Sequence, residues 1–278
     1  MRNKKVAPVK CGVTPTQERD IQKGQHNAHA GNFPQAAVKA ELSAAKRSFY
    51  GEIAQTTQSV VCSGAKNFKF KCREIASFKF ATGSTSIYRI DYKGKSFAFY
   101  KTYVGAPACV GTVEDTLSEI DTRKYVVFGG AGCLNKEIAH GKVMVPAEAY
   151  RDEGTSYHNA PAADYIRVRN ADIVARFMEE NGIPYVKGKT WTTDAFYRET
   201  VGNFEKHKAE GCISVEMECA ALQAVCDFRG LELYTFFTSG DLLDAPEWDK
   251  RHKTGETEGT QHDVGHFDIA LELARYVV

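Results

Sequence analysis

Absences bound this sequence before any motif does. In 278 residues no apolar run approaches the roughly 20 that a membrane-crossing helix needs. Charge of neither sign dominates: 36 Lys and Arg face 35 Asp and Glu, so no general field draws the chain to nucleic acid or to an anionic membrane. The 8 cysteines include no Cys-x-x-Cys pair. Most sit in apolar stretches, as Cys62, Cys133, Cys219 and Cys226 do, where a thiol serves as a small hydrophobe. The start, Met1-Arg2-Asn3-Lys4-Lys5, lacks the hydrophobic stretch of a signal peptide, and the expected location is a reducing cytoplasm. The segment from Lys253 to Thr260 is rich in Gly and Thr but lacks the Gly-Lys-Ser/Thr of a phosphate-binding P-loop. His262 and His266 have helical metal-ligand spacing around Asp263, but no third ligand motif stands near. Capping and surface placement are expected there, with no metal. Internal repeats and low-complexity linkers are also missing.

What is present fits one large domain with an extension in front. With 43% apolar residues the chain can bury a substantial α/β core. Residues 1–55 differ from the rest: the first fifty hold nine Lys and Arg against three Asp and Glu. A docking helix is expected from Pro34 toward Ile53, where apolar positions recur at helical spacing. The basic residues are dispersed and not interleaved with aromatics, which argues against a nucleic-acid arm. Residues 56–278 are expected to form the functional domain.

Within that domain, strand and helix patterns alternate. Strands are expected at 59–62, 78–80, 87–92, 96–103, 125–128, 142–146, 185–190, 214–218 and 231–237. Helices are expected at 112–120, 171–181, 204–210 and 219–229, the last closing at Gly230, with a terminal helix from about Phe267. A long loop spans 150–165. The fold class is α/β: a mixed, largely parallel sheet flanked by helices.

The most informative segment is Val215-Glu216-Met217-Glu218, followed at once by the small-residue helix start Cys219-Ala220-Ala221. The next apolar run ends in Thr238-Ser239-Gly240-Asp241. Ligands of parallel sheets bind at strand C-termini, so two strand ends bring Glu216, Glu218 and Asp241 to one crevice. The bland alternative makes the two glutamates strand-edge surface acids and Asp241 a helix N-cap.

This pairing resembles the nucleoside phosphorylase/uridine phosphorylase superfamily, which cleaves the N-glycosidic bond of nucleosides. Other segments agree in order from about residue 58 onward. Val104-Gly105-Ala106-Pro107-Ala108 resembles the family's glycine-rich turn, and Tyr125 to Leu134, with Gly129 and Gly130, its second glycine turn. Arg151 to His158, with Ala160-Pro161, is similar to a loop of the uridine phosphorylase branch, and Thr192 to Tyr197 to the strand whose aromatic residue stacks on the base.

The resemblance implies roles. Glu218 would accept hydrogen bonds from the ribose hydroxyls, Met217 would floor the sugar and Glu216 would join them in the ribose site. Phe196 would stack on the base. Asp241 would protonate a purine leaving group, helped by Arg251, with Asp244 the fallback because Gly240 is an extra residue in the family's Ser-Asp pattern. Inorganic phosphate would be co-substrate, held by Gly64, Arg89, Gly129 and Gly130, with no other cofactor. The family's phosphate arginines are replaced here, at Phe68 and at Val127, and its hydroxyl residue by Gly130. The Gln-x-Arg pair that reads uracil is also missing, Arg198-Glu199 following Tyr197 instead. Phosphorolysis of a purine ribonucleoside is the expected activity. The alternatives are a hydrolytic nucleosidase and a diverged nucleoside-binding protein without turnover. A homodimer or trimer of dimers is expected, the strand around Tyr88 and Arg89 reaching a neighbouring site.

Overall fold

A computed structural model describes residues 72–80, 83–117, 122–139, 141–244 and 258–278. The docking helix, the strand at 59–62, and Gly64 and Arg251 of the expected site lie outside the described residues.

Two sheets make up the described chain. Strands β1 (Cys72–Phe80), β2 (Gly83–Tyr92) and β3 (Lys95–Phe99) form an antiparallel meander in the order β1-β2-β3. The β2–β3 connection is a two-residue turn at Lys93-Gly94, both with positive φ (47° and 80°), the pairing that matches strand twist in tight hairpins. The second sheet contains β4 (Lys124–Cys133), β5 (Val143–Asp152), β6 (Tyr165–Arg167), β7 (Tyr185–Thr193), β8 (Cys212–Glu216) and β9 (Glu232–Leu242). Its order is β6-β5-β7-β8-β4-β9, and β9 also pairs with β5. Five strands, β5-β7-β8-β4-β9, thus close into a ring. Pairings β5–β7, β7–β8 and β4–β9 are parallel, whereas β4–β8, β5–β6 and β5–β9 are antiparallel. The protein is a mixed α/β structure, as the alternating pattern implies.

Helices cover this ring. Helix α1 (Ala106–Thr116) packs with α5 (Cys219–Arg229) over Tyr125 and Leu233. Helix α3 (Ala171–Glu180) buries Ala171, Val174, Ala175, Phe177 and Met178, an i, i+3, i+4 stripe that faces the main core. Helix α6 (Glu258–Val277) adds Ala270 and Leu273 to that core, and its Phe267 and Leu271 meet Ile90 of the three-stranded sheet. The one-turn α2 (Lys136–Ala139) follows β4, and α4 (Val201–Ala209) lies by β8. Around Trp191 a further cluster gathers Leu134, Cys212 and Val215. Fully burying such a side chain contributes about 1.5–3 kcal/mol. Among the described residues no helix is long and apolar enough to cross a membrane.

Three expectations near the strand ends are corrected. The run Gly129-Gly130 is not a turn: it continues β4, with Gly129 opposite Phe237 and Gly130 opposite Thr238. Strand β9 does not stop at Phe237 but runs to Leu242, absorbing Gly240 as a bulge, since Ala131 pairs with Ser239 and Gly132 with Asp241. The helix expected at 112–120 starts earlier, at Ala106, because Pro107 fits a first helical turn whose N–H groups need no intrahelical acceptor.

Candidate functional site

The site is assembled where β7, β8 and β4 end and α1 and α5 begin. Helix α5 follows β8 after only Met217 and Glu218, so its first N–H groups lack intrahelical acceptors in a buried place. Glu216 fills that gap. Its Oε2 accepts from the amides of Glu218 and Cys219, each at 2.7 Å. Its Oε1 accepts from Thr192 Oγ1 at 2.5 Å and from Thr190 Oγ1 at 3.5 Å. Thr192 Oγ1 in turn accepts the Ala220 N–H at 3.1 Å. Residues Cys219 to Cys226 are all buried, which explains the small side chains at the start of α5: larger ones would hold the helix away from the strands.

With 6% of its surface exposed, Glu216 has both oxygens committed to this frame. Burial pushes its carboxyl up to about 8, the neighbouring Glu218 adds to the rise, and Thr192 with the two amides opposes it. In the unfolded chain the group ionises near 4.5, in the fold near about 8. Between those values the unfolded state releases a proton that the folded state keeps. Stability from this group is therefore full below about 4.5 and declines as pH rises toward about 8. Glu216→Gln does not titrate and should lack that decline. Melting curves of both proteins across this window should show the difference between them changing steadily with pH; a constant difference would refute the assignment.

Glu218 is the half-buried acid just before α5. Its Oε1 accepts the Gly105 N–H at 2.6 Å. Gly105 precedes α1 with φ of 98°, a positive-φ conformation that glycine adopts without strain. Burial raises the Glu218 carboxyl above its usual range, the backbone of Gly105 and Met217 pulls it back, and the charge of Asp194 raises it again. Met217, partly buried, stands between the two glutamates.

Asp241 reaches the same end of the ring across one intervening strand. Gly132 of β4 pairs with Val215 of β8 on one side and with Asp241 of β9 on the other. A Cβ at position 132 would lie 2.5 Å from Leu243 Cδ1, 2.8 Å from Val215 Cγ1 and 3.2 Å from Asp241 Oδ1, so a glycine lets β8 and β9 both pack closely against β4 there. Asp244 is placed elsewhere. Its Oδ1 lies 2.9 Å from Lys208 Nζ and its Oδ2 accepts the Lys136 N–H at 3.1 Å. Burial raises its carboxyl, but these partners outweigh that and hold it below the ordinary carboxylate range.

Phe196 is half-buried on a 3-10 turn after β7, not on the strand itself, with the Tyr197 ring at 4.0 Å. Arg89 lies exposed on β2, bonded to Asp91 Oδ1 at 3.0 Å and to Ser96 Oγ at 2.7 Å. The structure brings Glu216, Met217 and Glu218 together and sets Asp241 on the second strand over, while Arg89 belongs to the three-stranded sheet. Among the described residues no group of His, Cys, Asp and Glu is arranged to hold a metal ion.

Reading the sequence alone missed several supports. Thr190 and Thr192 alternate on β7 and face Glu216; their two-residue spacing was the available signal. The loop after β5 is held by buried Arg151, whose Nε donates to Ser156 Oγ at 2.8 Å, whose Nη1 donates to the Pro161 carbonyl at 2.6 Å, and whose guanidinium lies 4.0 Å from the Tyr157 ring centre. Glu153 Oε2 accepts the Ser156 N–H at 2.9 Å. No local sequence pattern announces Gly105 as the partner of Glu218.

Comparison with known proteins identifies the family. A family model described as the phosphorylase superfamily matches residues 51–270. The chain is similar to the purine nucleoside phosphorylase DeoD-type of Alkaliphilus metalliredigens (strain QYMF), 30% identical over 191 residues, covering 66% of this chain and 78% of that protein. It is also similar to the proteins of the same description from Exiguobacterium sp. (strain ATCC BAA-1283 / AT1b) and Bacillus mycoides (strain KBAB4). Each is 25% identical over 186 residues, covering 66% of this chain and 75% of the relative.

Proposed function

Since the chain belongs to the phosphorylase superfamily, we propose that it cleaves the N-glycosidic bond of a purine ribonucleoside, with phosphate as acceptor. The observation that carries this reading is the Glu216–Glu218 frame. Glu216 is wholly occupied in fixing the start of α5, which leaves Glu218 as a pre-positioned acceptor for the ribose hydroxyls. An ionised carboxylate takes two O–H donors at once. Met217 covers the sugar, Phe196 covers the base and Asp241 protonates the leaving purine, assisted by Arg251. Cleavage builds positive charge on the sugar, and a fixed carboxylate beside it stabilises that charge without reorganising at the moment of reaction. The relatives described as purine nucleoside phosphorylases support the choice of base.

A hydrolytic reading has its own support. Position 127 on β4 is Val and position 130 is Gly, where the family resemblance leads one to expect an arginine and a hydroxyl, and Arg89 is engaged by Asp91 and Ser96. Fork-shaped guanidinium donors hold a dianion in a way that Val and Gly cannot. Phosphorolysis would instead leave the phosphate to backbone amides such as those of Gly129 and Gly130, which lie within β4 and not in a turn.

A panel of ribonucleosides incubated with and without phosphate separates the two. Phosphorolysis should require phosphate and yield ribose 1-phosphate. Release of free ribose without phosphate would assign a nucleosidase. No release from any nucleoside would sink both.

A further inference from the structure

Asp194, just past the end of β7, is an acid that the proposed reaction has so far left without a role. It follows directly on β7, which runs parallel to β8 with Thr192 opposite Glu216. Two residues further along each segment come Asp194 and Glu218. The Asp194 N–H donates to the Asp152 carbonyl at 3.2 Å, and its Oδ2 accepts the Gly154 N–H at 3.1 Å. The carboxylate is thus fastened between the ends of β5 and β7, exposed to solvent, two residues before Phe196. Nearby, Asp152 Oδ2 accepts from Trp191 Nε1 at 3.0 Å and Thr193 Oγ1 at 3.1 Å, so the strand end that anchors Asp194 is itself tied down.

We propose that Asp194 is a positioning residue of the sugar site: a second carboxylate that fixes the 152–154 strand end beside Glu218 and gives the ribose two negative charges to face in place of one. This inference rests on the proposed cleavage of a nucleoside. As the glycosidic bond loosens, the sugar becomes cationic, so a second fixed negative charge favours the transition state over the bound substrate. The arrangement also has a cost. The negative charge of Asp194 acts on Glu218, which holds a proton more readily than it would alone.

The groups around Glu218 make Asp194 the informative one. Just before α1 stands the Gly105 amide, on α1 the Cys109 thiol, on β8 Glu216 and at the start of α5 Cys219. Glu216 is buried and bonded on both oxygens, and burial pushes the thiols up and keeps them neutral. Asp194 is the exposed charge that acts on Glu218.

Asp194→Asn tests this, because the amide oxygen can still accept the Gly154 N–H. The variant should melt like the wild type and lose on the order of tenfold in kcat with little change in KM. The acid limb of its kcat/KM profile should move to lower pH, since Glu218 loses the neighbour that favours its proton. Carboxyl-carbon NMR, with the Glu218 signal assigned through Glu218→Gln, should show the same downward move. Asp172→Asn, on the remote α3, should shift neither. An active wild type whose acid limb and Glu218 titration are unmoved by Asp194→Asn would overturn the proposal. A wild type that cleaves no nucleoside would instead defeat the reaction reading, and the NMR titration alone would then decide whether Asp194 acts on Glu218.

Discussion

Asp241→Asn should lower turnover of ordinary purine nucleosides by roughly 10²–10⁴-fold, the usual contribution of a positioned acid. The loss should be far smaller on a 7-methylpurine nucleoside. That base already carries positive charge and departs without a proton, so the acid has nothing to supply. Asp241 lies on β9 next to the bulge, opposite Gly132, and an amide of nearly the same shape leaves that packing in place. A purely structural role would reduce both substrates alike and lower the melting temperature. Asp244→Asn is the natural comparison. Asp244 is tied to Lys208 and the Lys136 amide, so its variant should weaken that contact and show no preference between the two substrates. If Asp244→Asn carried the selective pattern instead, the acid would be Asp244, three residues further along.

Glu218→Gln should produce the second large effect, and its signature is selectivity for the sugar. Losing a charge-assisted hydrogen bond costs about 1.5–3 kcal/mol, which corresponds to roughly 10–150-fold in kcat/KM on ribonucleosides. A 2′-deoxynucleoside offers one hydroxyl fewer, so its loss should be smaller. Gln can keep an oxygen toward the Gly105 N–H, now 2.6 Å from Oε1, but it then turns an N–H₂ donor toward the sugar. Equal losses on the two sugars would show that Glu218 does not read the 2′-hydroxyl.

The parts of this fold that were legible in the sequence are those where local chemistry and packing ask for the same thing. Helix α5 ends at Gly230, as its pattern implies, in a left-handed cap with φ of 66°. Helix α3 carries a regular apolar stripe and stops before Gly182. The illegible parts share one cause. Glycine normally signals a turn, but here Gly132 and Gly240 serve strands that must pass close to one another or absorb an extra residue, needs set by neighbours distant in sequence. In the site, the pattern Glu-x-Glu located both carboxylates, yet only the fold distinguishes the one bonded on every side from the one beside the crevice. The difference lies in Thr190, Thr192 and Gly105, which reach these acids from other elements.

The closure of β9 onto β5 has a consequence for how copies of this protein can meet. A strand ladder offers its unpaired N–H and C=O groups to another chain only along an open edge. Among the described residues the ring of the large sheet closes through short contacts, Gly132 and Cys133 of β4 with β8 and Val143 and Met144 of β5 with β9, and the sixth strand, β6, is three residues long. Edge-to-edge pairing, a common route by which β-rich chains fuse, is therefore blocked at Val215 and Gly132, which are paired on both sides next to Glu216 and Asp241. Around that point any contact with another chain falls to side chains on helices and loops, which can be changed one at a time without unpicking the ladder that holds the carboxylates in place.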